Sequence, residues 1–95
     1  MKKYRILVKG LVQGVGYRYY CRRKADEYGI RGLVRNLFNG DVELVAEGHQ
    51  NLINDFIKDL RTGPSGAHVR SVLVEEAEHK DDFKDFIIYR REKLF

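Results

Sequence analysis

The spacing of apolar residues changes along the first third of the chain and predicts a strand followed by a helix. Residues 3–9 alternate as a strand does, and one face carries Tyr4, Ile6 and Val8. From residue 17 the spacing becomes helical, with a single inward face made of Tyr17, Tyr20, Cys21, Ala25 and Tyr28. Gly29 is a natural end for this helix, because glycine adopts the left-handed conformation of a helix C-cap without strain.

The middle of the chain predicts a hairpin. Two short apolar runs, 31–37 and 41–47, are separated by Asn39-Gly40, which is a strong signal for a tight turn. The second run alternates, and its buried face would consist of Val42, Leu44 and Ala46. Its other face carries Asp41, Glu43, Val45 and Glu47, and we expect that face to be mostly solvated.

The last part of the chain predicts a second helix and two more strands. The helix should run over 51–61, with Asn51 as its N-cap and Gly63-Pro64 as its end. Its core side would consist of Leu52, Ile53, Phe56, Ile57 and Leu60. A strand over 69–75, a charged turn over 76–82 and a final strand over 83–89 complete the pattern.

This order, β-α-β-β-α-β with the last β-unit doubled, predicts an α+β fold. Two helices on one face of an antiparallel sheet make a ferredoxin-like α/β sandwich. With 95 residues there is room for one core, so we expect a single domain over 1–95. This architecture carries many unrelated functions, and the function has to be argued from the residues of a site.

Composition limits the possible partners and the compartment only loosely. The chain has 18 basic and 14 acidic residues, and the resulting net charge of +4 suits any anionic partner without choosing among them. Its single cysteine excludes an internal disulfide and indicates either a reducing compartment or no dependence on the redox compartment. No apolar run approaches the roughly 20 residues that span a bilayer, and no signal peptide is evident. We therefore expect a soluble cytoplasmic protein with no membrane partner.

Residues for metal or covalent catalysis are not arranged in a recognisable pattern. The histidines His49, His68 and His79 lie 19 and 11 residues apart, which is not ligand spacing. No Gly-x-Ser-x-Gly is present. A group of carboxylates is expected to form a solvated turn: Glu75, Glu76, Glu78, Asp81 and Asp82. We predict neither a metal nor an organic cofactor.

The connection between the first strand and the first helix is rich in glycine and is followed by an arginine. Gly14 and Gly16 precede the helix, and Arg18 lies in its first turn. Such a loop is either a tight turn or an anion cradle, since free amides converge at a helix start. A cation there is disfavoured by the helix dipole by about 0.3–1 kcal/mol, and a bound dianion would reverse the sign. Arg18 therefore favours an anion site.

Two segments of the chain resemble signatures of the acylphosphatase family. The first is Gly10-Leu-Val-Gln-Gly-Val-Gly-Tyr-Arg18, and the second is Gly32-Leu-Val-Arg-Asn-Leu-Phe-Asn-Gly-Asp-Val42. The similarity continues through Gly48, Gly63-Pro64, Ala67-x-Val69 and Phe83-x-x-Phe86. It implies the ferredoxin-like fold, a small-molecule acyl phosphate as substrate, and hydrolysis of its carboxyl–phosphate bond. It further implies inorganic phosphate as product and inhibitor, and no metal or organic cofactor.

The same resemblance implies roles for individual residues. The backbone amides of Gln13, Gly14, Val15, Gly16, Tyr17 and Arg18, with the Arg18 guanidinium, would hold the phosphoryl oxygens. Asn36 would orient the attacking water. Three positions depart from the usual family residues, namely Tyr17 for phenylalanine, Leu33 for tryptophan and Asn39 for aspartate. The segment 90–95 extends beyond the usual end of the family, and no function is assigned to it.

Two other functions remain open at this point. An RNA-binding module can have the same fold, but it stacks bases on aromatic residues of the two central strands. Residues 6–11 lack that aromatic residue, and 41–47 contain no Phe or Tyr. The second alternative is a catalytically idle domain of the acylphosphatase type, which usually belongs to a longer chain. We favour an active, monomeric acylphosphatase that does not bind nucleic acid.

Overall fold

The backbone follows the predicted order of strands and helices. In the computed structural model, residues 2–78 and 82–90 are described. The elements are β1 (Lys2–Leu11), α1 (Tyr17–Tyr28), β2 (Arg31–Asn36), β3 (Val42–Gly48), α2 (Gln50–Thr62), β4 (His68–Glu76) and β5 (Phe86–Ile88). The α1 bounds agree with the sequence prediction, and Gly29 is its left-handed C-cap with φ 67°.

The five strands form one sheet in the order β4-β1-β3-β2-β5, which confirms the ferredoxin-like α+β fold. Neighbouring strands are antiparallel except for the β2–β5 pair at one edge. The sheet is therefore mixed, whereas the sequence predicts a wholly antiparallel one. Because β4 runs opposite to β2, the chain leaves β4 at the end of the sheet where β2 begins, and β5 continues in the direction of β2.

Most strand bounds and both ends of α2 differ from the prediction by one or two residues, and the N-cap of α2 and the last strand differ in more than length alone. The N-cap of α2 is His49 rather than Asn51, because the His49 carbonyl already accepts a hydrogen bond from the Ile53 N–H at 2.9 Å. The last strand is limited to Phe86–Ile88, although 83–89 is predicted. It pairs with only three residues of β2 (Gly32, Leu33 and Val34). The charged turn of 76–82 includes residues 79–81, which lie outside the described ranges.

The core lies between the helices and one face of the sheet. Tyr4, Ile6 and Val8 of β1 are buried there, as predicted. Phe56 of α2 packs edge-to-face on Phe86 of β5, with ring centroids 6.0 Å apart. The thiol of Cys21 is fully buried, and this burial raises its pKa, so the side chain is an inert part of the core.

Three tyrosine hydroxyls of α1 fasten it to α2. Tyr17 donates a hydrogen bond to the Leu60 carbonyl at 2.7 Å, and Tyr20 donates to the Asp59 carbonyl at 2.8 Å. Tyr28 donates to the Asp59 carboxylate at 2.5 Å. The Tyr17 bond provides the partner that a buried phenol needs where the family usually has phenylalanine. These bonds fix the position of α1, and with it the position of its N-terminus.

The second face of β3 is buried, whereas the sequence predicts a mostly solvated face. Asp41 is 7 % exposed, and Glu43 and Glu47 are each 8 % exposed. The cause is a set of cations on neighbouring strands: Glu43 pairs with Arg5 and with Arg35, each at 2.6 Å. Burial alone would raise the pKa of Glu43, but hydrogen bonds from the two arginines outweigh burial and hold its pKa below the usual value.

Candidate active site

The connection from β1 to α1 turns the chain within residues 12–16. It does so by placing Gly14 and Gly16 in the left-handed conformation, with φ values of 74° and 76°. A Cβ at either glycine would meet no atom within 4 Å. Glycine is therefore needed for its backbone conformation, which other residues adopt only at a cost of about 1 kcal/mol or more.

The first turn of α1 contains no acidic residue of its own. The first intrahelical hydrogen bond runs from the Tyr20 N–H to the Gly16 carbonyl at 3.1 Å, so the amides of residues 17–19 precede the helical ladder. No side chain of residues 2–78 and 82–90 caps these amides. Arg18, in the same turn, makes no hydrogen bond or ion pair within residues 2–78 and 82–90. The helix dipole and the guanidinium together favour an anion here.

Gln13 connects the glycine loop to the β2–β3 turn. Its Nε2 donates hydrogen bonds to the carbonyls of Leu37 at 2.7 Å and of Asp41 at 2.8 Å. The turn is itself closed by a bond from the Asp41 N–H to Asn39 Oδ1 at 3.0 Å. Asn39 thus supplies the acceptor that the turn requires where the family usually has aspartate. The Gln13 side chain fixes the loop relative to the end of β2.

Asn36, the last residue of β2, faces the glycine loop across a cavity of about 210 Å³. The cavity is lined by Val12, Gly14, Gly16, Tyr17, Arg18, Tyr19 and Asn36. The Oδ1 atom of Asn36 is buried and has no hydrogen-bond partner within the described ranges. A buried amide oxygen of this kind needs a donor, and water can serve as one.

The cavity brings together five of the seven residues that the sequence singles out. Gly14, Gly16, Tyr17, Arg18 and Asn36 line it. Gln13 directs its side chain to the β2–β3 turn. The Val15 side chain packs against the core. The sequence predicts that Gln13 and Val15 contribute their backbone amides to the site, and this contribution stays a prediction.

Tyr19 is a lining residue that the sequence reasoning missed. Its ring lies on the outer side of α1 and is 58 % exposed. The only signal for it is its place next to Arg18 in the first turn, since the apolar spacing assigns it to the solvent side. Its hydroxyl accepts a hydrogen bond from Arg90 at 2.6 Å.

Residues that could form a metal centre are not gathered in the structure. Within the described ranges, no group of three or more His, Cys, Asp or Glu residues could hold an ion. His49 and His68 are exposed on separate elements, and His79 lies outside those ranges. Within the same ranges, none of the helices is long and apolar enough to cross a bilayer.

The fold and the cavity define a ferredoxin-like domain with a cavity at the start of its first helix. A sequence model of the Acylphosphatase family matches residues 4–88. The chain belongs to the acylphosphatase family. It is 42 % identical over 88 residues to an acylphosphatase of Thermotoga maritima, covering 93 % of this chain and 97 % of the relative. It is 46 % identical over 85 residues to one of Caldivirga maquilingensis, covering 88 % and 90 %.

Solved structures agree with this assignment. A crystal structure of acylphosphatase from Bacillus subtilis superposes with a TM-score of 0.89 at 36 % identity, covering 94 % of this chain and 99 % of that one. Full-length HypF in its phosphate- and nucleotide-bound form gives a TM-score of 0.87 at 32 % identity, covering 98 % of this chain but 12 % of that one. The family resemblance inferred from the two signatures is confirmed.

We predict that Gln13→Leu weakens both stability and phosphate binding. The substitution removes two hydrogen bonds, which should lower the free energy of unfolding by about 1–3 kcal/mol, although each carbonyl keeps one backbone donor: Gly40 N–H for Leu37 and Leu37 N–H for Asp41. Because the loop is then less fixed relative to Asn36, the affinity for inorganic phosphate should also fall. Urea denaturation and calorimetric phosphate titration measure the two effects.

Thr62→Ala is the matched control for this variant. The Thr62 hydroxyl also donates to a backbone carbonyl, but it is exposed and lies at the end of α2. Thr62→Ala should change neither the free energy of unfolding nor the phosphate affinity appreciably. If Gln13→Leu binds phosphate as tightly as the unmodified protein, the loop does not depend on the β2–β3 turn.

Proposed function

We propose that this chain hydrolyses acyl phosphates to a carboxylate and inorganic phosphate without a metal or organic cofactor. One observation carries the proposal: the N-terminus of α1, Arg18 and Asn36 line a single cavity. Among residues 2–78 and 82–90, that helix end has no side-chain cap and the buried Asn36 Oδ1 has no hydrogen-bond partner. Membership of the acylphosphatase family supports the choice of substrate.

The phosphoryl group binds where the positive partial charges converge. In the proposed arrangement the amides of residues 13–18 donate to its oxygens, and the Arg18 guanidinium donates two further parallel hydrogen bonds. A planar fork suits this task better than the point charge of lysine. Charge neutralisation and positioning are the main requirements of phosphoryl transfer, because its transition state is loose and has little bond formation.

Asn36 positions the attacking water in this proposal. Its buried Oδ1 accepts a hydrogen bond from water, and the amide stays uncharged at any pH the enzyme meets. The water oxygen bonds to phosphorus as the bond from phosphorus to the acyl oxygen breaks. The electron pair leaves with the carboxylate, and the proton of the water passes to a phosphoryl oxygen. A carboxylate leaving group has a conjugate acid of pKa about 4, so no general acid is needed.

A second candidate is a catalytically idle domain of the same family. Its support is the likeness to a segment that makes up 12 % of full-length HypF. Hydrolysis of an acyl phosphate distinguishes the two candidates, because an idle domain would show none. An RNA-binding function is disfavoured, because the outward face of β1 and β3 is occupied by ion pairs such as Arg5–Glu43 rather than by aromatic rings.

Oligomeric state and cellular location are also part of the proposal. We infer one monomeric domain over 1–95, since the described residues share a single buried core. A cytoplasmic location is supported by the single buried cysteine, which suits a reducing compartment.

We predict hydrolysis of benzoyl phosphate and no appreciable hydrolysis of phenethyl phosphate, an alkyl monoester of similar size. The alkoxide leaving group of the ester needs a strong acid, and no Asp, Glu, His, Cys or Lys lines the cavity. Of the two tyrosines that line it, Tyr17 already donates its hydroxyl to the Leu60 carbonyl, and the Tyr19 hydroxyl is held by Arg90. Phosphate release should be followed with EDTA present throughout. Equal rates on both compounds, or loss of benzoyl phosphate hydrolysis on chelation, would contradict the mechanism.

Arg18 and Asn36 should fail in different ways when substituted. Arg18→Ala should abolish phosphate binding and lower kcat by on the order of a thousandfold, by analogy with the loss of an oxyanion donor. Arg18→Lys should restore little. Asn36→Ala should keep phosphate affinity while kcat falls, because its group acts on water. The measurements are steady-state kinetics, calorimetric phosphate titration, and the phosphate-induced rise in Tm.

Arg22→Ala is the control for removal of a cation from α1. Arg22 lies one turn beyond Arg18, is exposed, and pairs at 3.9 Å with Asp26 on the same helix. It should bind phosphate normally. If Asn36→Ala loses phosphate affinity as completely as Arg18→Ala, Asn36 belongs to the phosphate cradle and the division of roles is wrong.

A further inference from the structure

The parallel β2–β5 pair brings Arg90 to the end of the sheet where Asn36 lies. Val34 of β2 is opposite Ile88 of β5, and the Tyr89 N–H continues the pairing by donating to the Val34 carbonyl at 2.8 Å. Asn36 and Arg90 each lie two residues beyond the Val34–Ile88 pair. Asn36 is the last residue of β2, and Arg90 follows the end of β5. Because the strands are parallel, both residues lie at the same edge, beside the start of α1.

Arg90 contacts the rim of the cavity through Tyr19. Its Nη2 donates a hydrogen bond of 2.6 Å to the Tyr19 hydroxyl, and its guanidinium carbon lies 5.4 Å from the centroid of the Tyr19 ring. The hydrogen bond from this cation lowers the pKa of Tyr19. Tyr19 in turn lines the cavity that holds Arg18 and Asn36. The exposed Arg90 guanidinium is therefore held against Tyr19, a residue that lines the cavity.

Toward the described residues, most of the hydrogen-bonding capacity of Arg90 is unused. A guanidinium has five N–H donors, and within residues 2–78 and 82–90 only the one bond to Tyr19 is formed. No carboxylate of those ranges pairs with Arg90. Arg18 is likewise unpaired there and lines the cavity, whereas Arg90 is connected to the cavity through Tyr19.

The two cations occupy different positions relative to a bound acyl phosphate. In the proposed function the phosphoryl group lies against Gly14, Gly16 and Arg18, at the start of α1. The acyl group must then extend outward past the exposed rim, and Tyr19, at 58 % exposure, belongs to that rim. A group on the acyl side of the substrate therefore passes Tyr19 and the guanidinium that it holds.

We propose that Arg90, positioned by Tyr19, is a specificity-determining residue that binds a negatively charged group on the acyl half of the substrate. The inference rests on the proposed function, since it takes the phosphoryl position from it. The favoured substrates are acyl phosphates whose acyl group carries a second carboxylate or phosphate. Arg90 contributes nothing to the bond-breaking step, and its effect is on selection between acyl groups.

The test compares benzoyl phosphate with its meta- and para-carboxy derivatives. The rigid ring holds the added carboxylate away from the reacting bond. For each protein, kcat/KM for the better carboxy isomer is divided by kcat/KM for benzoyl phosphate. Arg90→Gln should lower this ratio by about 5-fold, which is the size expected for an exposed ion pair. The difference between the two proteins should vanish at about 1 M ionic strength, where the Debye length is about 3 Å. Taking ratios cancels the intrinsic reactivity of each compound.

Two further variants separate a specific contact from a general effect. Tyr19→Phe keeps the ring but loses the hydrogen bond to Arg90, so it should lower the same ratio by a smaller factor. Lys2→Gln removes an exposed cation from the end of β1 that is remote from the cavity. There Lys2 pairs with Glu76 at 3.0 Å. It should leave the ratio unchanged, which excludes an effect of net charge alone.

Binding of non-hydrolysable phosphonates provides a readout that is independent of turnover. Calorimetry should show para- or meta-carboxybenzylphosphonate binding more tightly than benzylphosphonate, and Arg90→Gln should abolish that preference. If Arg90→Gln weakens all ligands equally, the residue only supports α1, and if it alters none, it touches no ligand. Either result overturns the inference. Failure to hydrolyse benzoyl phosphate while the phosphonate preference persists would overturn the proposed function alone.

Discussion

The site depends on an uncapped helix N-terminus. Between the end of β1 and the start of α1 the chain has only residues 12–16 in which to turn, and it does so through Gly14 and Gly16 in left-handed conformations. No side chain in the part of the chain that the structure describes then caps the first amides of α1, and Arg18 adds a cation where the helix dipole is already positive. The arrangement costs stability in the free protein, and a bound dianion would relieve that cost. An anion site is the simplest physical reason for it.

The rest of the fold holds that N-terminus in position. Tyr17, Tyr20 and Tyr28 tie α1 to α2, and Gln13 ties the glycine loop to the β2–β3 turn next to Asn36. Donors that are fixed before the substrate arrives need no reorganisation during the reaction, which is the main advantage of electrostatic catalysis. Because the leaving group is a weak base, such a site can work without a titrating acid or base. This explains how a small domain with few reactive side chains can be an enzyme.

Much of this could be predicted from the sequence, because local patterns determine it. The period of the apolar residues and Gly29 were enough to place α1, and the two signatures pointed to the cavity residues. The errors arose where distant strands meet. The alternation within β3 alone predicts that the face with Glu43 is solvated. In the structure, Arg5 of β1 and Arg35 of β2 cover that face. The Gln13 bonds and the contact of Arg90 with Tyr19 also depend on strand register, which no single segment contains.

The central claim is that the site activates phosphorus, and not the acyl carbon, toward water. Hydrolysis of benzoyl phosphate in H₂¹⁸O, followed by mass spectrometry of both products, tests it most directly. If the amides and Arg18 hold the phosphoryl group and Asn36 presents water to it, the heavy oxygen appears in inorganic phosphate and the benzoate stays unlabelled. Label in the benzoate would mean that water attacks the carbonyl carbon. The cavity would then be an oxyanion site for acyl transfer, and the account given for Arg18 and Asn36 would be wrong.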